Sequence, residues 1–251
     1  MLGYTAPAPG TYELPVLDDA ADGVVLSSDG REMRLHEVFG GANVLLSFVY
    51  STCRDTAGCP LATAVLHRIK QRLQQAPEIA GRLRLVTLSF DPAHDTPEVM
   101  RLYGEGLKGP GVDWRFLTTA SADQLAPILA SYNQSVMKEY DEQGEPTGDF
   151  AHVLRVYLID REKRIRNIYS VSFLHPDLLV NDVETVLLEQ DKRQWAEAPG
   201  GQDHAQGSAS TLSGPRDFKA AYGDEEYVTR SRSLEARNGE PADLVRLVET
   251  P

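Results

Sequence analysis

The sequence predicts an α/β fold in which a mixed β-sheet is flanked by helices, with an N-terminal β-hairpin and an extended C-terminal tail. Two observations support this prediction. Short apolar or alternating segments typical of strands alternate with segments of helical periodicity, which favours a parallel sheet. The last two strands of the series are joined by a short charged turn, which adds an antiparallel hairpin to that sheet.

The N-terminal segment is predicted to form an arm and then short β elements. Residues 1–10 are rich in Pro, Gly and Ala, which is typical of a flexible arm. Residues 12–16 are a strand candidate, and residues 24–35 have the pattern of a β-hairpin with an Asp-Gly turn. A short amphipathic turn, Leu35–Phe39, then leads to the central strand.

The central strand is predicted at Asn43–Val49, a short apolar run of the kind found in buried strands. A loop with both cysteines of the chain follows, and then Pro60, which suits the first turn of a helix. From Leu61 to about residue 75, apolar residues recur at helical spacing. The sulfurs therefore lie where a strand gives way to a helix, an edge at which α/β sheets bind ligands.

Further strands and helices continue the alternation into a thioredoxin-like arrangement. In chain order they are a strand at 83–90, a helix at about 97–104, a strand at 114–117, a helix at 122–130, two strands at 152–160 and 165–171, and a helix at 178–188. Asp95 or Thr96 is suited to cap the helix that has Pro97 in its first turn, and Asp95 with Glu98 resembles a capping box. Residues 133–149 show little periodicity and are predicted to be a mobile loop.

The pattern divides the chain into three segments: a flexible arm at 1–10, a thioredoxin-like domain at 11–191, and a linker-like or docking tail at 192–251. Gly-rich stretches in the tail are typical of linkers. The last apolar residues of the tail stop in mid-pattern, so we expect the tail to lead to a further domain of a longer polypeptide.

Composition excludes several function classes. The net charge of -12 and the pI of about 4.9 argue against nucleic acid and anionic membrane as main partners. No apolar run reaches the roughly 18 residues of a membrane span. The first residues do not have the pattern of a signal peptide, although they could follow a removed leader. Phosphate-binding loops, zinc spacings, serine-nucleophile motifs and haem-attachment motifs are absent from the sequence.

Cys53 and Cys59 are the first candidates for chemistry. A thiol near a helix N-terminus is expected to have a lowered pKa, and the thiolate both attacks disulfides and binds soft Cu(I). Five residues separate the two cysteines, so a loop can fold back and bring the sulfurs together. The alternative is that the pair consists of small buried side chains without chemical function.

His152 is the candidate that completes the set. We expect it at the head of a strand that can lie beside the central strand, where two thiolates and one imidazole would suit copper. A lone histidine there is otherwise typical of a hydrogen-bonded structural residue. His94 is a competing ligand in a context more typical of a solvent-facing loop. Asp91 and Asp95 are expected to be caps and turn formers, with orientation of a ligand as the alternative role.

Other polar residues are assigned structural roles. Asp55, inside the cysteine loop, is expected to accept backbone N–H bonds and to hold the shape of that loop. Four histidines have no evident partner in the sequence and are expected to be structural or exposed: His36, His67, His175 and His204.

The motifs around these residues resemble the SCO/SenC family over residues 12–190. The resemblance is carried by Ser-Phe-Val-Tyr-x-Thr-Cys ending at Cys53, by Cys59 with Pro-Leu after it, by Leu-Ser-Phe-Asp-Pro-x-x-Asp-Thr-Pro at 88–97, and by His152 before Val-Tyr-Leu-Ile-Asp at 156–160.

The resemblance implies a copper-binding, thioredoxin-like protein tied to cytochrome oxidase assembly, with one copper ion bound by Cys53, Cys59 and His152. It also implies a partner that is a cytochrome oxidase subunit or another redox protein, and a periplasmic or otherwise exported location, with a membrane anchor outside this sequence. Residues 232–239 resemble the entry to a di-haem peroxidase domain. The family usually has three residues between its cysteines, whereas this loop has five.

Three functions remain open from the sequence. The first is copper binding for delivery or electron transfer. The second is thiol–disulfide exchange by Cys53 and Cys59 without a metal, which the longer loop favours. The third is a non-catalytic docking domain with a static disulfide. A peroxiredoxin fits less well, because Tyr50 stands three residues before Cys53, where that family has Thr or Ser.

Overall fold

An eight-stranded mixed sheet is the centre of the computed structural model, which describes residues 5–197. The strands are β1 (Asp18–Asp19), β2 (Val24–Ser27), β3 (Glu32–Arg34), β4 (Asn43–Val49), β5 (Leu83–Ser89), β6 (Asp113–Thr118), β7 (Val136–Tyr140), β8 (Pro146–His152), β9 (Val156–Ile159) and β10 (Arg164–Tyr169). The helices are α1 (Leu35–Phe39), α2 (Cys59–Arg72), α3 (Pro77–Ala80), α4 (Pro97–Glu105), α5 (Ala122–Ser131) and α6 (Pro176–Glu197), with 3-10 turns at Leu73–Gln75 and Val171–Phe173.

The sheet has the strand order β1-β10-β9-β4-β5-β6-β2-β3. Strands β4, β5 and β6 are parallel, and β9 runs antiparallel to β4 on its other side. The predicted N-terminal hairpin is present as β2 and β3, and the predicted closing hairpin as β9 and β10. The thioredoxin-like mixed sheet predicted from the sequence is thereby confirmed.

Strand β4 lies at the centre of two packed layers. All seven of its residues are buried, as its unbroken apolar run predicted. Leu45 faces the cluster that includes residues of α2 and α6, whereas Leu46 and Phe48 face the cluster that includes residues of α1 and α5. Because successive side chains of a strand point to opposite faces, β4 contributes to the core on both sides of the sheet.

The helix after β5 begins as its sequence suggests. Thr96 is the N-cap of α4, and its side chain accepts a hydrogen bond from the Val99 N–H at 3.4 Å. Pro97 occupies the first turn. Of the two cap candidates, the structure therefore selects Thr96, which leaves Asp95 for another role.

The prediction of a mobile loop at 133–149 was wrong. Strands β7 and β8 form an antiparallel hairpin that is a separate two-stranded sheet. In its turn, one oxygen of Asp141 accepts the N–H groups of Gln143 and Glu145, both at 2.9 Å, and Gly144 has a φ of +83°. Most of its residues are exposed, so the strands carry no apolar alternation that would distinguish them from a loop.

Three boundaries also differ from the predictions. His152 ends β8 and does not begin β9, because residues 153–155 separate the two strands. Residues 12–16 form no strand, and the edge strand is β1 instead. The last helix runs over Pro176–Glu197, longer at both ends than predicted.

The structure tests part of the predicted N-terminal arm but almost none of the predicted C-terminal tail. The Pro7 carbonyl accepts a hydrogen bond from Asn181, and the Gly10 N–H donates one to Thr185, so this part of the predicted arm contacts α6. The predicted tail lies outside the described residues beyond residue 197. None of the helices within residues 5–197 combines the length and the apolar character that crossing a bilayer requires.

Candidate metal centre

The cysteine loop joins the end of β4 to the start of α2. Asp55 turns the chain back, because its side chain accepts the Ala57 N–H at 3.0 Å and its carbonyl accepts the Gly58 N–H at 2.9 Å. This is the shape-holding role predicted for Asp55. Cys59 is the first residue of α2 and is buried, whereas Cys53 is partly exposed.

The fold brings the three predicted site residues together. Sγ of Cys59 lies 3.5 Å from Nε2 of His152, and both atoms lie within 4.8 Å of Sγ of Cys53. Both cysteines are free. Within residues 5–197, no other group of three or more His, Cys, Asp or Glu side chains has its donor atoms so close together.

The imidazole of His152 is oriented by its own strand. Its Nδ1 lies 3.0 Å from the carbonyl oxygen of Phe150. A carbonyl only accepts hydrogen bonds, so Nδ1 carries the proton, and the lone pair of Nε2 faces the Cys59 sulfur. An N–H to backbone carbonyl bond of this kind typically orients a metal-binding histidine.

Two aromatic rings contact His152 and a third packs on both of them; the sequence did not predict these rings as part of the site. The His152 ring centroid is 5.6 Å from that of Tyr50, at 89°, and 5.2 Å from that of Phe90. Phe150 packs on both of these rings, at 5.0 and 5.6 Å. Tyr50 and Phe90 directly follow β4 and β5, so their positions at the same sheet edge were a readable signal.

Burial changes the acid–base properties of the site. It raises the pKa of the Cys59 thiol well above its usual range, and the nearby Cys53 sulfur adds to this effect. The expectation that the helix N-terminus lowers the pKa was therefore wrong for Cys59, whose exposed fraction is 1%. Burial, with a contribution from Cys53, also raises the pKa of Tyr50 to about 12. Without metal, Cys59 is thus a neutral thiol at pH 7.

Asp95 connects the ends of two strands beneath the cysteine loop. Its carboxylate is fully buried and accepts hydrogen bonds from the Ser51 N–H at 3.0 Å, from the Ser51 hydroxyl and from the Ser89 hydroxyl. His94 is exposed, and its Nδ1 lies 3.1 Å from Asp95, outside the Cys-Cys-His group. His94, which the sequence offered as a competing ligand, therefore lies at the surface.

The remaining candidates lie elsewhere. Asp91 is a turn former, since its carbonyl accepts the N–H groups of the third and fourth residues after it, and burial together with Asp95 raises the pKa of its carboxyl. His36 contacts the Ala20 carbonyl, His67 contacts Gln71 and His175 contacts Asp177, so these histidines are apart from the site. His204 is outside the described residues.

Comparison with known proteins adds the following findings. The SCO1/SenC family profile matches residues 24–188. No curated protein gives a significant match. Three similar solved structures share 20–22% identity with the chain. Arabidopsis thaliana ScoI with copper bound is 20% identical, over 68% of this chain and 98% of its own, with a TM-score of 0.57.

The other two structures have similar coverage. A SCO1/SenC family lipoprotein from Bacillus anthracis is 20% identical, over 69% of this chain and 97% of its own, with a TM-score of 0.57. BsSco, a member of the Sco family of cytochrome c oxidase assembly proteins in which a disulfide switch was identified, is 22% identical, over 70% and 98%, with a TM-score of 0.53. These likenesses support the fold.

Proposed function

The chain belongs to the SCO1/SenC family, and from this premise we propose that it is a copper-binding thioredoxin-like protein that delivers copper or transfers electrons to a respiratory or redox enzyme. One observation carries the proposal: the sulfurs of Cys53 and Cys59 and Nε2 of His152 lie within 4.8 Å of one another. These three residues would hold one copper ion.

The donor set fits copper. Two thiolates and one imidazole suit copper in both of its common oxidation states. The lone pair of Nε2 already faces Cys59, because the proton of His152 is held at Nδ1 by the Phe150 carbonyl. A bound ion would supply one-electron exchange between Cu(I) and Cu(II). Since burial keeps Cys59 protonated, binding releases a proton from this thiol.

The proposed setting is outside the cytoplasm, with a cytochrome oxidase subunit or another redox protein as the partner. The family match supports this setting. Two of the similar structures do so as well, since one is a lipoprotein and the other belongs to a family of cytochrome c oxidase assembly proteins.

Thiol–disulfide exchange is the second candidate function. The free state of both cysteines and their unequal exposure favour it. The partly exposed Cys53 would attack a partner disulfide, and the buried Cys59 would then resolve the mixed disulfide. The third possibility, a static disulfide, would require oxidation of these two sulfurs, which are not bonded to each other in this structure.

Copper titration of the reduced protein tests the first proposal. We expect the wild-type chain to bind one equivalent of Cu(I) in competition with a chelator under anaerobic conditions. Cys53→Ser, Cys59→Ser and His152→Ala each remove a ligand. They should weaken binding by more than the roughly 10–100-fold that substitutions outside the ligand shell typically cost.

His67→Ala is the matched control, because His67 contacts Gln71 on α2 and lies outside the donor group, and it should bind copper like the wild type. If the wild-type chain binds no copper at stoichiometric loading, the copper proposal is discarded. If in that case both wild type and His152→Ala exchange disulfides with glutathione equally well, the second candidate stands.

A further inference from the structure

Asp95 occupies an unusual position for a carboxylate. Its exposed fraction is 0%, and it lies just before α4, where the sequence pattern allowed a helix cap. The cap is Thr96, so Asp95 has no part in that role. A fully buried charge is costly unless hydrogen bonds compensate it. Apart from the neighbouring His94 ring, the partners of this carboxylate lie at the ends of β4 and β5.

These partners connect Asp95 to the cysteine loop. Two of its hydrogen bonds come from Ser51, through the backbone N–H at 3.0 Å and through the hydroxyl. A third comes from the hydroxyl of Ser89, the last residue of β5. Ser51 is two residues before Cys53, and Cys53 is the half of the cysteine pair that is not anchored in a helix. The carboxylate therefore fastens the free end of the loop to the sheet.

We propose that Asp95 is a positioning residue, which acts through Ser51 to hold the Cys53 sulfur within reach of Cys59 and His152. Charge-assisted hydrogen bonds to one buried carboxylate are stronger than neutral ones, so the first turn after β4 is held firmly. This contact compensates for the length of the loop. The turn between the cysteines is held by Asp55, and the backbone before Cys53 is held by Asp95.

The proposal rests on the proposed function only for its copper measurement. Asp95→Asn keeps the size of the side chain and removes its charge. We expect Cu(I) binding roughly 10–100-fold weaker, the usual cost of changing a residue that orients a ligand. Ser51→Ala removes one of the two Ser51 contacts and should have a smaller effect in the same direction. Ser51→Thr keeps the hydroxyl and should restore binding.

A second measurement does not involve copper. In a glutathione buffer, the Cys53 and Cys59 thiols form a disulfide as one oxidised glutathione is reduced to two glutathione thiols. A loop that is no longer held lowers the effective concentration of one sulfur at the other. The equilibrium constant should therefore fall in Asp95→Asn and Ser51→Ala.

Asp123→Asn is the matched control, because Asp123 is an exposed acidic residue in the first turn of α5 and takes no part in the Asp95 contacts. It should leave both measurements unchanged. Equal copper affinity and equal disulfide equilibrium in Asp95→Asn and wild type would overturn the positioning role and leave the proposed function intact. If the wild type binds no copper, the proposed function fails, and the disulfide equilibrium alone decides for or against Asp95. If Asp95→Asn does not fold, Ser51→Ala and Ser51→Thr test the positioning role instead. Equal copper affinity and equal disulfide equilibrium in these two variants would overturn it.

Discussion

The sulfur donors and the imidazole donor come from regions of very different construction. Strand β4, which leads to the cysteines, has all seven residues buried and pairs with β5 and β9 along its length. The β7–β8 hairpin, which ends in His152, forms its own two-stranded sheet, and both Met137 and Tyr140 on it are more than half exposed. The cysteines are therefore supplied by the core sheet, whereas His152 is supplied by a hairpin that packs against this sheet.

The attachment of the hairpin consists of a few identifiable contacts. Phe150 packs against Tyr50 and Phe90, and the side chain of Gln134 donates a hydrogen bond to the Val153 carbonyl at 2.6 Å. Isolated two-stranded hairpins are marginally stable in water. We therefore expect local release of the hairpin from the sheet to require less free energy than unfolding of the sheet itself.

The largest expected difference between the two regions is in global stability. Phe48 is 2% exposed and packs against Tyr132 and Tyr157. Phe48→Ala should lower the free energy of unfolding by about 3–5 kcal/mol. Tyr140→Ala, which truncates an exposed aromatic residue of the hairpin, should change it by no more than about 0.5 kcal/mol. Urea denaturation measures both, and similar losses would contradict the division into core and attachment.

The pH dependence of stability is the next largest effect and belongs to the sheet region. Burial raises the pKa of Glu184 on α6 from 4.5 to about 7, against the opposing effect of Arg72, while Glu78 adds to the rise. Below pH 4.5 the Glu184 carboxyl is protonated in both the folded and the unfolded state, so its burial does not lower the free energy of unfolding. As the pH rises to about 7, Glu184 loses its proton in the unfolded state but keeps it in the folded state. The free energy of unfolding therefore falls by up to about 3 kcal/mol.

Urea denaturation between pH 4.5 and 7 measures this loss of stability. Glu184→Gln should remove most of the slope, because the amide does not titrate. Glu142→Gln on the exposed hairpin should leave the slope unchanged. A slope that persists in Glu184→Gln would assign the effect to another group.

A smaller and local effect is expected where the two regions meet. Phe150→Ala removes two ring contacts, each worth about 0.5–1.5 kcal/mol. The free energy of local opening for the β7–β8 amides should fall by about 1–3 kcal/mol, while the β4 amides keep their protection. Hydrogen exchange resolves the two sets. Met137→Ala is the control on the exposed face, and a loss of protection in β4 would show that the hairpin and the sheet open together.

The central sheet could be predicted because its sequence signals agree with one another. The apolar run of β4, the proline after Cys59 and the Thr96-Pro97 pair each specify a local structure that the tertiary fold also requires. The hairpin could not be predicted in the same way, since its exposed strands carry no apolar alternation. Its one clear signal was the turn after Asp141, where Gly144 has a positive φ.

The site was predictable in its members and less so in its properties. Cysteines after one strand and a histidine near another can be placed at one edge of the sheet by topology alone. The raised pKa of Cys59 depends on burial by distant residues, which outweighs the local helix N-terminus. The ring contacts of His152 with Tyr50 and Phe90, and the contact of Asp95 with Ser51, also join residues that are 44 or more positions apart in the sequence.

The outward course of the cysteine loop has a consequence for evolution and design. Residues 54–57 are all exposed, whereas the sulfurs on either side of them belong to the Cys-Cys-His group. The side chains that the loop exposes are therefore different from the side chains that form the donor group. Replacements at Arg54, Thr56 and Ala57 can change the surface that an approaching molecule contacts, while Asp55 keeps the turn and the donor atoms keep their positions.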